Sequence, residues 1–345
     1  MSREPAPAYR RAGVDLALAD QVVERLKPLA AQTRTPGVMG GLGLFGGCFA
    51  FPDPGGEDLL VASIDGVGTK MKVARLMGRW EAAGYDIVAH CVDDVLTLGA
   101  RPLFFLDYVG TSRLELDIVE ALVRGMVAAC REAQCALLGG ETAEMPAVYH
   151  PGEVDLVGCL IGSVRRGDIL PGGRVRSGDQ LIGLASNGLH TNGYSLARKV
   201  LLEEGPGVDA LLGEHGPSIG EALTARHRMY WKAAERYLAR PELHAMAHIT
   251  GGGIPGNLAR VVPEGHTAHV RTASWEVPAI FREIEKRGSV GSAEMYEIFN
   301  MGVGWVMVVD PSAAPAWAGE LAAGGWGGWR LGEVVAGGNG VRLEG

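Results

Sequence analysis

Short apolar runs alternate with segments of helical period along nearly the whole chain, and the alternation breaks once, at the turn-rich stretch DILPGGRVRSGD over residues 168–179. Continuous apolar runs suit strands buried on both faces, and helical segments between them must then cover the sheets. This pattern predicts an α/β class, with α and β elements layered (α+β layered) in two mixed domains. A single core also stops growing at about 250–300 residues, and the chain has 345. We place the boundary in the seam, giving domains over 1–168 and 169–345.

In the first domain the periodicity predicts a helix over 15–31, a strand over 59–64 ending at Asp65, a helix over 86–98, a strand over 103–109 and a helix over 116–134. Short strands follow over 136–138 and 154–164. Past the seam, a strand is expected over 180–185, helices over 195–204, 221–238 and 278–287, and a strand over 303–309.

Fifty-two glycines are roughly twice the usual ~7% and follow no collagen-like period. They indicate tight turns and backbone that approaches ligands closely. A net charge of −8 argues against a nucleic-acid partner, since that affinity comes mainly from Lys and Arg displacing counterions. The five cysteines form no C-x-x-C pair and lie in or beside apolar runs, as buried thiols of a reducing, cytoplasmic protein do. Neither a secretory leader nor a membrane span is expected.

Several stretches carry chemistry. DGVGTK, Asp65-Gly66-Val67-Gly68-Thr69-Lys70, resembles a phosphate loop, but its Lys follows Thr and an acid stands in front. GLGLFG, with Gly43 and Gly46, fits the dinucleotide spacing but lacks the flanking strand and helix; like GGGIPG, from Gly251 through Gly252 and Gly253, it is better read as an anion loop. Asp86, His90, Asp93, Asp94 and Thr97 form one polar stripe of a helix, which taken alone is a solvated face. Glu141 follows two glycines after a short strand. Asp65 and Glu141 thus share a strand-end placement, where α/β sheets bind ligands, and strand-end acids beside an acidic stripe suit Mg²⁺, a hard ion that takes one or two carboxylates plus phosphate oxygens. Asp65 is expected to hold metal, with the Gly66 and Gly68 amides and Lys70 on phosphate. In the second domain SNGLHTNG offers Ser186, Asn187, Gly188, His190 and Asn192, a set suited to a phosphate-bearing substrate with a proton-transfer group. His248 in HITGGG either orients that glycine loop or fills the core.

DGVGTK, CVDDVLTLGARPLFFLDY, GGETAEMP, SNGLHTNGYSL, HITGGG and EMYEIFNMGVG, in this order and spacing, closely resemble the phosphoribosylformylglycinamidine cyclo-ligases, or aminoimidazole ribonucleotide synthetases. The resemblance runs from about residue 9 to the last strand. It implies an ATP-dependent cyclo-ligase closing the imidazole ring in purine synthesis, with ATP and Mg²⁺ in the first domain. It implies metal-binding acids at Asp65, Asp94 and Glu141, and ribonucleotide on 186–193 and on Thr250 to Gly253. It also implies a homodimer whose N-terminal domains pair their sheets into a barrel. For catalysis we expect His190, Lys70 and Asp94. The sequence departs from the family in its Gly- and Pro-rich 201–222 and at Met301. A small-molecule kinase of the same fold and a noncatalytic nucleotide-binding scaffold are the alternatives.

Overall fold

The computed structural model describes residues 57–345 continuously, with 38–39, 47–50 and positions 8, 11 and 24 before them. The helix expected over 15–31, but for position 24, and the GLGLFG glycines Gly43 and Gly46 lie outside the described residues.

Each domain is built on a six-stranded mixed sheet. The first has strands β1 (Val38–Met39), β2 (Gly47–Ala50), β3 (Asp58–Gly66), β4 (Arg101–Thr111), β5 (Ala136–Glu144) and β6 (Val154–Arg165), in the order β1-β2-β3-β6-β4-β5. Only β4 and β5 run parallel there. The second has β7 (Gln180–Ala185), β8 (Leu243–His248), β9 (His266–Arg271), β10 (Val303–Val309), β11 (Gly327–Ala336) and β12 (Gly340–Glu344), in the order β12-β9-β11-β7-β10-β8. The run β7, β10 and the edge strand β8 is largely apolar and almost wholly buried, as continuous apolar runs require.

In β3 the buried residues alternate, Leu59, Val61 and Ser63 facing inward. Three helices follow or flank that face: α1 (Lys70–Met77), α2 (Trp80–Thr97) and α3 (Leu116–Glu132). α2 and α3 approach unusually closely, and two glycines explain it. A Cβ on Gly84 would lie 1.9 Å from the Leu122 carbonyl oxygen, and one on Gly125 would lie 2.0 Å from that of Glu81. Any larger residue separates the helices.

The other face of α2 meets β8 of the second domain. The helix is therefore sandwiched between the two sheets, with 15 of its 18 residues buried. The polar stripe that would be a solvated face on a lone domain becomes the floor of a domain junction.

The helix expected over 221–238 is broken instead into α5 (Ile219–Leu223) and α6 (Trp231–Ala234), after α4 (Tyr194–Arg198) and with a 3₁₀ turn at Glu235–Tyr237. Residues 224–230 are irregular because the stripe claims their backbone donors: His227 N–H donates to Asp86 Oδ1 and Tyr230 N–H to Asp93 Oδ1, both at 2.7 Å. An amide bound to a carboxylate cannot also close a helical turn.

Candidate active site at the domain junction

Burying carboxylates is costly unless each is paired or hydrogen-bonded. Along α2 every one is. Asp86 Oδ2 lies 2.7 Å from Lys70 Nζ. Asp94 accepts from Ser63 Oγ at 2.9 Å and contacts His248 Nδ1 at 2.9 Å. His90 lies between the domains, its Nε2 2.9 Å from Asp65 Oδ2 and its Nδ1 2.6 Å from Thr191 Oγ1.

The electrostatics sort these acids. Burial raises both Asp86 and Asp93; Lys70 counters it at Asp86, and the Tyr230 amide only in part at Asp93, which stays well above the usual carboxylate range. At Asp65 burial also pushes upward, but the His90 charge and hydrogen bond outweigh it and hold the carboxyl below its ordinary value. Burial alone would lower His90; the charge and hydrogen bond of Asp65, with Asp94 and Asp93 behind, push it up to about 9.

Three further imidazoles cluster beside this row. His190 and His227 stack at 4.0 Å between ring centroids, and His227 Nε2 lies 3.2 Å from His248 Nε2. All three are buried, and burial first, then neighbouring positive groups, keeps His190 and His227 well below the ordinary histidine value. The hydrogen bonds assign the His190 tautomer. Its Nε2 accepts from Asn187 N–H at 3.2 Å and Arg228 N–H at 3.4 Å, so the proton is on Nδ1, which has no partner. That leaves His190 no lone pair for a metal, and the three rings do not form a metal centre although their nitrogens lie within 4.8 Å of one another.

Loop 186–193 is held by residues from several elements. Asn300 accepts from Ser186 Oγ at 3.0 Å and donates to the Gly188 carbonyl at 2.9 Å. His190 adopts φ +63°, a left-handed conformation that L residues rarely take. The glycine loop adjoins it: a Cβ on Gly251 would lie 3.4 Å from Asn192 Nδ2. Gly252 is also left-handed, at φ +96°. Gly253 answers to packing, since a Cβ there would lie 1.8 Å from the Tyr296 carbonyl oxygen. It opens the short helix α7 (Gly253–Leu258), and Asn257 folds back onto the carbonyls of Thr250 and Gly253 at 3.2 and 2.8 Å.

Three groups expected at the site lie differently from the sequence reading. Lys70 does not extend toward a phosphate: its ammonium is buried on Asp86 and donates to the carbonyls of His190 at 2.8 Å and Ala225 at 2.7 Å. The Gly66 amide is likewise engaged, by Asp65 Oδ1 at 2.6 Å, whereas Gly68 is exposed at φ +64°. Third, Asp65, Asp94 and Glu141 do not converge on one ion within a chain. Glu141 is inside edge strand β5, not at a strand end. Its row runs through Tyr108 and Val157 to Gly66, so Asp65, one residue away, faces the opposite side of the sheet, and three strand spacings put the two roughly 14 Å apart. His227 and Asn300 are the site residues that sequence reasoning passed over, although Asn300 lay in a quoted motif; Thr191 fell within the substrate loop expected over 186–193.

The chain matches the family described as AIR synthase related protein, its N-terminal domain over residues 46–164 and its C-terminal domain over 176–344. It is 48% identical over 331 residues to a phosphoribosylformylglycinamidine cyclo-ligase of Sorangium cellulosum, covering 95% of each chain. It is 45% identical to the protein of the same name in Carboxydothermus hydrogenoformans, covering 95% of this chain and 96% of that one. Among solved structures it resembles a thiamine-monophosphate kinase from Stenotrophomonas maltophilia, at TM-score 0.61 and 20% identity over 94% of this chain and 96% of that one. It also resembles T. maritima PurL complexed with AMPPCP, at TM-score 0.55 and 14% identity over 81% of this chain and 41% of that one. At such identities these structures speak for the fold alone. The two domain matches and the full-length relatives together show that the chain belongs to the AIR synthase family, alongside proteins named phosphoribosylformylglycinamidine cyclo-ligase.

Proposed function

We propose that the protein converts formylglycinamidine ribonucleotide and ATP to aminoimidazole ribonucleotide, ADP and phosphate, as a cytoplasmic step of purine synthesis. The observation that carries this reading is the meeting of both motif sets at one junction. Thr69 Oγ1 of the first domain lies 3.3 Å from Ser195 Oγ of the second, and Lys70 holds the His190 carbonyl. ATP belongs to the first domain at loop 65–69, and the ribonucleotide to 186–193 and 250–253. An AMPPCP complex on a similar fold supports the nucleotide half.

The formyl oxygen attacks the γ-phosphorus and ADP leaves. An amidine nitrogen then adds to the imidate carbon, loses a proton, and phosphate departs, closing the ring. An amide oxygen leaves poorly from carbon at neutral pH, which is why ring closure consumes ATP. His190, neutral with its proton on Nδ1, is suited to donate a hydrogen bond to the transferring oxygen rather than to remove a proton. Mg²⁺ when bound neutralises phosphate oxygens. Asp65 fits it as the half-buried carboxylate beside the loop, whereas Asp94 has both oxygens engaged.

The dimer implied by the family resemblance fits the open face of the first sheet. Phe49, Ile64 and Leu106 are exposed there at 42, 69 and 36%, and the register puts Leu60, Cys159 and Ile161 on the same face. A second copy of that face would cover it.

The test is turnover of formyl-¹⁸O substrate with ATP and Mg²⁺. Aminoimidazole ribonucleotide should form, with the label in the released phosphate. A stable phosphorylated product would favour the kinase reading, and unlabelled phosphate would remove the phosphoryl-transfer mechanism.

A further inference from the structure

Lys70 is the first residue of α1, directly after the nucleotide loop, yet its ammonium is buried between Asp86 of its own domain and two carbonyls of the other. It has three protons and three acceptors: Asp86 Oδ2 at 2.7 Å, the His190 carbonyl at 2.8 Å and the Ala225 carbonyl at 2.7 Å. The Tyr194 ring lies 5.5 Å from it. Asp86, the other half of the ion pair, accepts from the His227 amide. One buried pair therefore fixes the backbone on both sides of the stacked His190 and His227 rings. His190 needs such a restraint because it is left-handed at φ +63°.

We propose that Lys70, paired with Asp86, is a positioning residue that couples the nucleotide loop at 65–69 to the substrate loop at 186–193. The proposal rests on the assignment of ligands to those loops given above. Movement of the first loop on binding nucleotide pulls on α1 at its first residue, and Lys70 transmits it to the carbonyl of His190. The Thr69 and Ser195 hydroxyls provide a second, weaker contact in the same direction. With no proton to spare, Lys70 acts through His190 rather than on a phosphate.

The test uses the double variant Lys70→Met/Asp86→Asn. Lys70→Met alone strands a buried carboxylate, whereas neutralising both partners is often tolerated, and the side-chain carbonyl left by Asp86→Asn still accepts from the His227 amide. In the wild type, AMPPCP alone should slow hydrogen exchange over 186–193 and 225–230. Saturating ribonucleotide should tighten AMPPCP by roughly 5–150-fold, the usual range of such couplings. In the double variant AMPPCP should bind within about twofold of the wild type when alone, but the coupling ratio should fall to about 1 and the protection of 186–193 should vanish. Asp86→Asn alone strands the Lys70 ammonium without its counter-charge and costs stability, but it keeps the two carbonyl contacts, so the folded variant should keep the coupling that the double variant loses. Lost AMPPCP affinity in the double variant would assign Lys70 to phosphate and overturn the proposal. So would protection that persists in the variant or is absent from the wild type. Failure of the wild type to form aminoimidazole ribonucleotide would sink the function reading instead, and the exchange measurement with AMPPCP alone would still judge the coupling.

Discussion

At the scale of single residues, the chemistry of the junction depends on pairings between sequence-distant groups. His90 and Asp65 are 2.9 Å apart, and each stabilises the charged form of the other. The raised ring contributes stability in full below about pH 6.5, where the unfolded chain is protonated too, and loses it as pH rises through about 9. The lowered Asp65 contributes in full above about pH 4 and loses its share as pH falls through its folded value. The pair therefore stabilises most between about pH 4 and 6.5. In His90→Gln, urea unfolding without Mg²⁺ should show the largest deficit against wild type near pH 6, shrinking toward pH 10; a deficit constant across that range would mean that the ring does not titrate as described. Asp65, Asp94 and His190 are legible in the sequence as polar residues next to turns and apolar runs. Their partners are not. Nothing near His227, in ARHRMY, signals a site, because its role comes from stacking on a ring 37 positions away in sequence, an arrangement that only the tertiary fold creates. Lys70 misleads for the same reason: a lysine after a glycine loop looks like a phosphate ligand until the fold brings it Asp86 from α2 and two carbonyls from the second domain.

Elements are legible where one local signal dominates. The strands Gln180–Ala185 and Val303–Val309 match expectation to the residue, since short apolar runs bounded by turns leave little choice. β5 runs well past its expected end, because Gly139 and Gly140 look like a loop although strand pairing with β4 continues through them to Glu144. The break at 224–230 has no local signal, as it depends on two carboxylates of another helix. α2 and α3 carry the clearest packing prediction. The Cβ of Gly125→Ala would run into the Glu81 carbonyl and the Tyr85 amide, both backbone atoms that cannot swing aside. Overpacking of this kind costs about 1–3 kcal/mol, so the variant should lose that much in denaturant unfolding while keeping its secondary structure. No loss would mean that the helix pair has slack that this packing does not show. Because α2 also carries the polar stripe, kcat should fall with stability.

For the whole molecule, the two faces of the first sheet pose different problems. One is covered by helices, and beyond them by the second domain, so that even its carboxylates find partners. The other leaves Ile64, Leu106 and neighbouring apolar groups exposed among the described residues, although exposed apolar groups gathered on one face usually mark a contact surface. Glu141 belongs to this sheet's edge strand, away from Asp65. If copies pair there, Glu141 belongs at or beside the interface, and its place in a metal site would have to be judged in the assembly rather than in one chain. Leu106→Glu tests this with little risk to the fold, because the residue is over a third exposed and opposes the helices. In a two-fold interface each copy would bring its new charge toward the other, so like charges would be desolvated together. Sedimentation of the wild type at micromolar concentration should give a species of twice 36.3 kDa, and the variant should sediment as a single chain with unchanged far-ultraviolet circular dichroism. A fully active wild type at the mass of one chain would rule out the dimer, and a variant that remains dimeric would place the interface on another surface.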